Sequence, residues 1–205
     1  MDRIQFASEI LKSMPPAASL LDVGCRDGSL VDRLPPSTAY FGADLFQNER
    51  GNVAFLGDIQ KMEVGRKFEY VLALDILEHV DDLHGLFDRL VGMMESRLMV
   101  SLPNCYDLKS RFNFVFKGAL GGKYRLKADP SLDRHRWVVG DAEIISFFES
   151  KARAHHLHLA IHRMKYGDWA SPSLASRVRA CSRWILPDRL STSTVFGVFS
   201  RQLLV

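Results

Sequence analysis

The sequence predicts an α/β fold, a doubly wound and mostly parallel sheet with helices on both faces. Three observations predict it. Short apolar runs alternate with helical patterns through the first hundred residues, which is the order a parallel sheet requires. A glycine-bearing turn, Asp22-Val23-Gly24-Cys25-Arg26-Asp27-Gly28, follows the first of those runs. Asp44, Asp58 and Asp75 stand just beyond the next three.

The elements follow in order. Residues 4–14 place Ile4, Phe6, Ile10, Leu11 and Met14 near helical spacing, and Pro15-Pro16 ends that helix before the apolar strand at 19–23. After the glycine turn, residues 29–34 form a short helix that Pro35-Pro36 stops ahead of a second strand at 39–43. A third strand is expected at 53–56, a fourth at 70–74 and a fifth at 97–102, with an amphipathic helix at 83–94 between the last two. Beyond Pro103 the pattern breaks into a basic and aromatic insertion, about 105–140, whose Gly118, Gly121 and Gly122 give it the freedom of a lid. A helix at 141–153 and two strand-like runs at 156–164 and 193–202 complete the chain and bring the strands to seven. Between those runs, at about 172–186, Leu174, Val178, Cys181 and Ile185 share one helical stripe with Arg177 and Arg183 largely off it. Such a basic amphipathic helix packs on the body or docks on a membrane surface or partner.

With 205 residues, 47% of them hydrophobic, the chain has material for one substantial core, so residues 1–205 are read as a single domain. No apolar run approaches the roughly 18 residues a membrane span needs, and the first residues lack the basic-then-apolar order of a signal peptide. The expectation is a cytoplasmic protein, with peripheral contact at a membrane surface left open by its charge. Cys25, Cys105 and Cys181 are distant and odd in number, which supports neither a disulfide framework nor a zinc knuckle. The overall charge of +3 hides a segregation: residues 105–140 hold eight Lys and Arg against three Asp and Glu, and residues 151–190 eight against two. The rest of the body is therefore acidic. The basic segments either concentrate an anionic substrate or surface, or are solvated loops. No motif points to nucleic acid, and none is expected as a partner.

In an open α/β sheet, ligands bind beyond the carboxyl ends of the strands. Four acids in register there suit a ligand rich in hydroxyl, amino and cationic groups. The dinucleotide fingerprint G-x-G-x-x-G fails, because Arg26 and Ser29 occupy its second and third glycine positions, and this disfavours a nicotinamide-dependent oxidoreductase. The glycine turn joins two further phrases, Tyr70-Val71-Leu72-Ala73-Leu74-Asp75-Ile76-Leu77-Glu78-His79-Val80 and Leu98-Met99-Val100-Ser101-Leu102-Pro103-Asn104. Over residues 20–104 the chain thereby resembles the class I S-adenosylmethionine-dependent methyltransferases, of the small bacterial type 11/23-like kind. The resemblance implies a Rossmann-like seven-stranded sheet with its last strand antiparallel, and S-adenosylmethionine as cofactor. It places Gly24 and Gly28 at the methionine portion, Asp22 and the chain near Asp75 at its amino-acid end, Asp44 on the ribose hydroxyls and Asp58 near the adenine amino group. Cys25, Leu45 and Ile59 join the cofactor-binding set. Many members have glycine where this chain has Arg26, whose charge either pairs with a ligand carboxylate or points to solvent.

Methyl transfer from an activated sulfonium rests mainly on positioning. An oxygen or neutral nitrogen acceptor still loses a proton, so histidines near the cleft are the candidate bases. His79 and His135 are selected, each of which is otherwise a packing or capping residue. Asn104, Arg134 and Arg136 are assigned to the acceptor, expected to be small or lipid-linked, with anionic character matched by the arginines. Glu78 with His79, or His84, could contribute to a divalent-metal site resembling that of some methyltransferases, but no complete ligand set is visible and no metal is expected. The alternative function is a catalytically inactive S-adenosylmethionine-binding or scaffold protein of the same fold.

Overall fold

The computed structural model describes residues 2–119, 122–124, 134–165 and 186–201. Seven strands form one sheet: β1 (Ser19–Val23), β2 (Ala39–Asp44), β3 (Val53–Leu56), β4 (Phe68–Leu74), β5 (Met94–Pro103), β6 (His158–Lys165) and β7 (Thr192–Ser200). Their order is β3-β2-β1-β4-β5-β7-β6, with β7 antiparallel to both neighbours and every other pairing parallel. The expected sheet, antiparallel last strand included, is the observed one. The order reverses between β1 and β4, so the crevice beyond their carboxyl ends is the topological switch point.

Successive residues of each central strand face opposite layers, and both layers are apolar. Leu21, Val71, Ala73, Leu98 and Val100 pack against helix α2 (Leu83–Met93), through Leu86, Phe87 and Leu90, and against helix α4 (Asp141–Ala154), through Ile144 and Phe148. Leu20, Tyr70, Leu72, Met99 and Phe196 pack on the other face against Ala7 and Ile10 of helix α1 (Arg3–Lys12) and against Leu30. Continuous apolar runs such as 68–74 are what a strand covered on both faces needs. Aspartates cap three helices: Asp2, Asp82 and Asp107 accept from the backbone N–H of Gln5, Gly85 and Ser110.

Three departures from expectation have local causes. Residues 29–33 wind as a 3-10 helix, the tighter form common in short pieces between a turn and a proline pair. β5 begins at Met94, directly after α2. The insertion contains helix α3 (Leu108–Lys117), capped by Asp107 and ended by Gly118 at φ 63°, whose phenylalanines face outward and so gave no core-facing stripe. The amphipathic helix expected at 172–186 lies outside the described residues, apart from its last position.

Candidate functional site

The turn after β1 reverses the chain with three left-handed residues: Gly24 at φ 72°, Arg26 at φ 51° and Gly28 at φ 64°. A β-carbon on Gly24 would stand 2.8 Å from the Ile76 side chain, and one on Gly28 would overlap the Asn52 amide, so both positions exclude larger residues. Arg26 adopts the same conformation at a cost of about 1–2 kcal/mol. Asp44, at the end of β2, holds it there: its Oδ2 accepts the Arg26 N–H at 2.8 Å, and Oδ1 accepts that of Phe46 at 3.4 Å. The acid after strand two is thus joined to the glycine turn.

Beside this turn lies a cavity of about 500 Å³, lined among others by Arg3, Asp22, Gly24, Cys25 and Arg26. Asp22 is buried and accepts the Tyr40 hydroxyl proton at 2.9 Å. Burial pushes its carboxyl up to about 7, against the opposing effects of the Tyr40 hydrogen bond and the Arg3 charge. Cys25 is buried on the same wall, and burial pushes its thiol up to about 12, leaving a neutral thiol. Arg3, reaching over from α1, donates to Asp75 Oδ2 at 2.8 Å. Asp75 itself is left-handed at φ 52°, and its other oxygen accepts the Ser101 hydroxyl at 2.5 Å. A strained acid at a strand end, fixed by a guanidinium and a hydroxyl, is a preorganised group.

The remaining cofactor-set residues have different surroundings. Leu45 is half exposed beyond β2, available to a flat apolar ligand. Asp58 accepts from the backbone and side-chain nitrogens of Gln60 at 3.0 and 3.3 Å, which is local turn chemistry. Ile59 is 8% exposed and packs in the main core.

Both selected histidines meet at one place. Glu78 sits in the 3-10 turn Leu77–His79 after β4, and the last part of the insertion is strapped across it: Arg136 N–H donates to the Glu78 carbonyl at 2.8 Å and Trp137 Nε1 to the Val80 carbonyl at 2.8 Å. The rings of His79 and His135 stand edge to face, centroids 4.7 Å apart, and Tyr124 lies edge to face on His135 at 4.6 Å. His79 Nδ1 is 3.0 Å from the Arg134 carbonyl. Burial, reinforced by Asp75, pushes the Glu78 carboxyl well above the ordinary carboxylate range. Tyr124 contacts Cys105 through its hydroxyl.

The acceptor-side residues divide. Arg134 is exposed, while the Arg136 guanidinium pairs with Asp81. Asn104 is buried, with its amide donating to the carbonyls of Arg189 and Thr192 at 3.0 and 2.9 Å and accepting from Tyr106 N–H at 3.1 Å. Those bonds tie the end of β5 to the entry of β7 and engage both ends of the amide, which turns the expectation of an acceptor contact into one of a buried brace. Arg3, Tyr40, Ser101 and Tyr124 belong to the site but carried no local signal, because each reaches it from a distant part of the chain.

A family model described as a methyltransferase domain matches residues 1–160. The chain is 25% identical over 145 residues to the ubiquinone biosynthesis O-methyltransferase of Nitrobacter winogradskyi, an alignment that covers 63% of this chain and 54% of that protein, so the chain spans about half of its length. In fold it is similar to the small RNA methyltransferase HEN1, with TM-score 0.64 and 16% identity over 98% of this chain and 25% of that one. It is likewise similar to a SAM-dependent methyltransferase from Archaeoglobus fulgidus, with TM-score 0.60 and 15% identity over 97% and 94% of the two chains.

Proposed function

From the premise that the chain belongs to the methyltransferase domain family, we propose that it carries the methyl group of S-adenosylmethionine to an oxygen on a small or lipid-linked acceptor. The observation that carries the donor half is the crevice at the strand-order reversal. Its volume is ample for a small-molecule ligand, and its groups, with Asp44 and Leu45 beside the same turn, match the donor's. Asp44 offers paired oxygens toward ribose hydroxyls, Leu45 an apolar face, and Asp22 a carboxylate toward the ammonium. Arg3, on a wall that also carries Asp22, Arg26 and Asp27, brings positive charge that suits the donor's carboxylate. When bound, the donor supplies an activated methyl group on a sulfonium, and the chain's task is to orient the acceptor beside it and exclude water.

For the acceptor half, the support is the His79–His135 pair, where the strap crosses the turn after β4. Each imidazole is placed to take the proton an acceptor hydroxyl loses. Oxygen is favoured by the similarity to an O-methyltransferase of ubiquinone biosynthesis. A lipid-linked acceptor is supported by α3, whose Phe112, Phe114, Val115 and Phe116 are 58–72% exposed on a helix that also carries Lys109, Arg111 and Lys117 and no acid. Among the described residues no helix is long and apolar enough to cross a membrane. The insertion, about 105–140, is read as the acceptor lid, with Arg134 as its exposed cation.

The test is transfer of labelled methyl from S-adenosylmethionine to phenolic, carboxylate and lipid-linked hydroxyl acceptors. Once an acceptor is found, His135→Ala should lower kcat by about 10²- to 10⁴-fold if it is the base, and Arg134→Gln should raise mainly the acceptor KM. Binding of the donor with no transfer to any acceptor class would favour the inactive binding protein instead.

A further inference from the structure

A second cavity, of about 280 Å³, opens toward the amino-terminal ends of β1 and β4, between the last turn of α1 and the residues that follow the 3-10 helix at 29–33. Leu11, Met14, Pro15, Pro16, Leu34 and Pro35 line its sides, and the buried Leu20 and Tyr70 lie beneath them. Proline fixes its own backbone angle, so the three prolines stiffen these walls and lessen the ordering that binding would cost.

The polar groups of the lining narrow what can enter. The Thr38 hydroxyl donates to the Ala17 carbonyl at 2.8 Å, that of Ser8 to the Gln5 carbonyl at 2.8 Å and that of Tyr70 to the Pro15 carbonyl at 2.7 Å, so each is already engaged within the chain. Lys12 pairs with Glu9 on the exposed surface. Arg33 differs. Its guanidinium makes no hydrogen bond or ion pair among the described residues, and the acid beside it, Asp32, is paired with Arg50. Next to Tyr70, Arg97 is buried and donates to the Tyr70 hydroxyl at 2.7 Å, with its Nε unpartnered and no carboxylate paired to it among the described residues. Glu69, which acts on Tyr70 through space, accepts the Ala18 N–H at 2.7 Å. The open donor at this cavity is therefore Arg33.

We propose that the cavity is a second ligand site, for a small amphipathic carboxylate whose apolar body lies against Leu20 and Tyr70 and whose anionic end meets Arg33. Apolar walls with every hydroxyl engaged offer nothing to a sugar or a nucleotide, whose polar groups would be buried unmet. An uncharged hydrocarbon would leave Arg33 unused, whereas a guanidinium grips a carboxylate through paired N–H donors. The volume falls just under the roughly 300–1,000 Å³ of drug-sized sites, which restricts the ligand to a smaller molecule. Arg33 also lines the crevice beside the glycine turn, but Met14 lines the second cavity alone of the two, so Met14 marks where a ligand sits. The site stands whether or not the crevice holds the methyl donor.

The test is titration of the chain, carrying ¹³C-labelled methionine methyl groups, with octanoate and with octanol, whose tails match. Octanoate should shift the Met14 signal, assigned through Met14→Leu, saturably and at one ligand per chain. Octanol should bind at least about tenfold more weakly, and Arg33→Gln should weaken octanoate by about the same factor. Leu11→Trp, which fills the wall, should abolish the shift. Arg33 is exposed, so its variant decides the matter if Leu11→Trp does not fold. A Met14 signal that does not move or does not saturate, octanol binding as tight as that of octanoate, or octanoate affinity unchanged by Arg33→Gln overturns the proposal.

Discussion

Asp44 does two things with one carboxylate. It fixes the left-handed turn through the Arg26 N–H, and it faces the place proposed for the ribose. Asp44→Ala should therefore weaken S-adenosylmethionine binding by about 2–4 kcal/mol, from lost charge-assisted bonds and a loosened turn; unchanged calorimetric affinity in a folded variant contradicts the assignment. Asp22 carries a pH signature. Its carboxyl titrates near 7 in the native chain, facing Tyr40 and Arg3 with Asp27 and Asp44 farther off, against about 3.9 unfolded. Between those values the native state holds the extra proton, so this group's contribution to stability falls as pH rises through the window. Asp22→Asn should flatten that part of a profile of Tm against pH. Donor affinity should rise from pH 5.5 to 7 as Asp22 ionises toward the ligand's ammonium, and a flat affinity profile in the unsubstituted chain would count against Asp22 as that partner. The positions of Asp22, Gly24, Gly28, Asp44 and Asp75 were legible because strand ends and turn glycines have local signals. Arg3 was not, since its bond to Asp75 joins residues 72 apart and nothing near Arg3 marks it.

Among the elements, α2 and α4 are clamped across the sheet face by Asp88, which takes the Lys151 ammonium at 2.5 Å and His155 Nε2 at 2.7 Å. Partial burial works to raise the Asp88 carboxyl, but Lys151 and His155 outweigh it and hold it below the ordinary value. Its stabilising effect is thus present above pH about 4 and is lost as pH falls through the native value. Asp88→Ala leaves Lys151, which is 8% exposed, with the His84 carbonyl but without its counter-charge, and should cost about 1–3 kcal/mol in urea denaturation. A change below about 0.5 kcal/mol would mean that the clamp adds no more than a surface pair does. For α3, Phe112→Ser with Phe116→Ser should reduce sedimentation with anionic vesicles several-fold while leaving donor affinity intact, and equal sedimentation would contradict a lipid-facing helix. Strand and helix order was readable because two-faced burial produces apolar runs and amphipathic stripes. α3 escaped because its phenylalanines face away from the body, so it lacks the core-facing stripe on which such reading depends.

At the scale of the whole molecule, the strand order reverses between β1 and β4, and the turn, Asp22, Arg3 and the capped Asp75 gather around that one crevice. His79 and His135 were legible as residue types, but their convergence on Glu78 was not, because the strap over the turn after β4 brings positions 79 and 135 together. The central claim is that this crevice holds S-adenosylmethionine, and calorimetric titration of the chain with S-adenosylmethionine and separately with NAD tests it most directly. The account predicts saturable binding of one S-adenosylmethionine per chain, weakened at least about tenfold by Asp44→Ala, and no heat of binding with NAD. Binding of NAD, or no binding of S-adenosylmethionine by the folded chain, would contradict it.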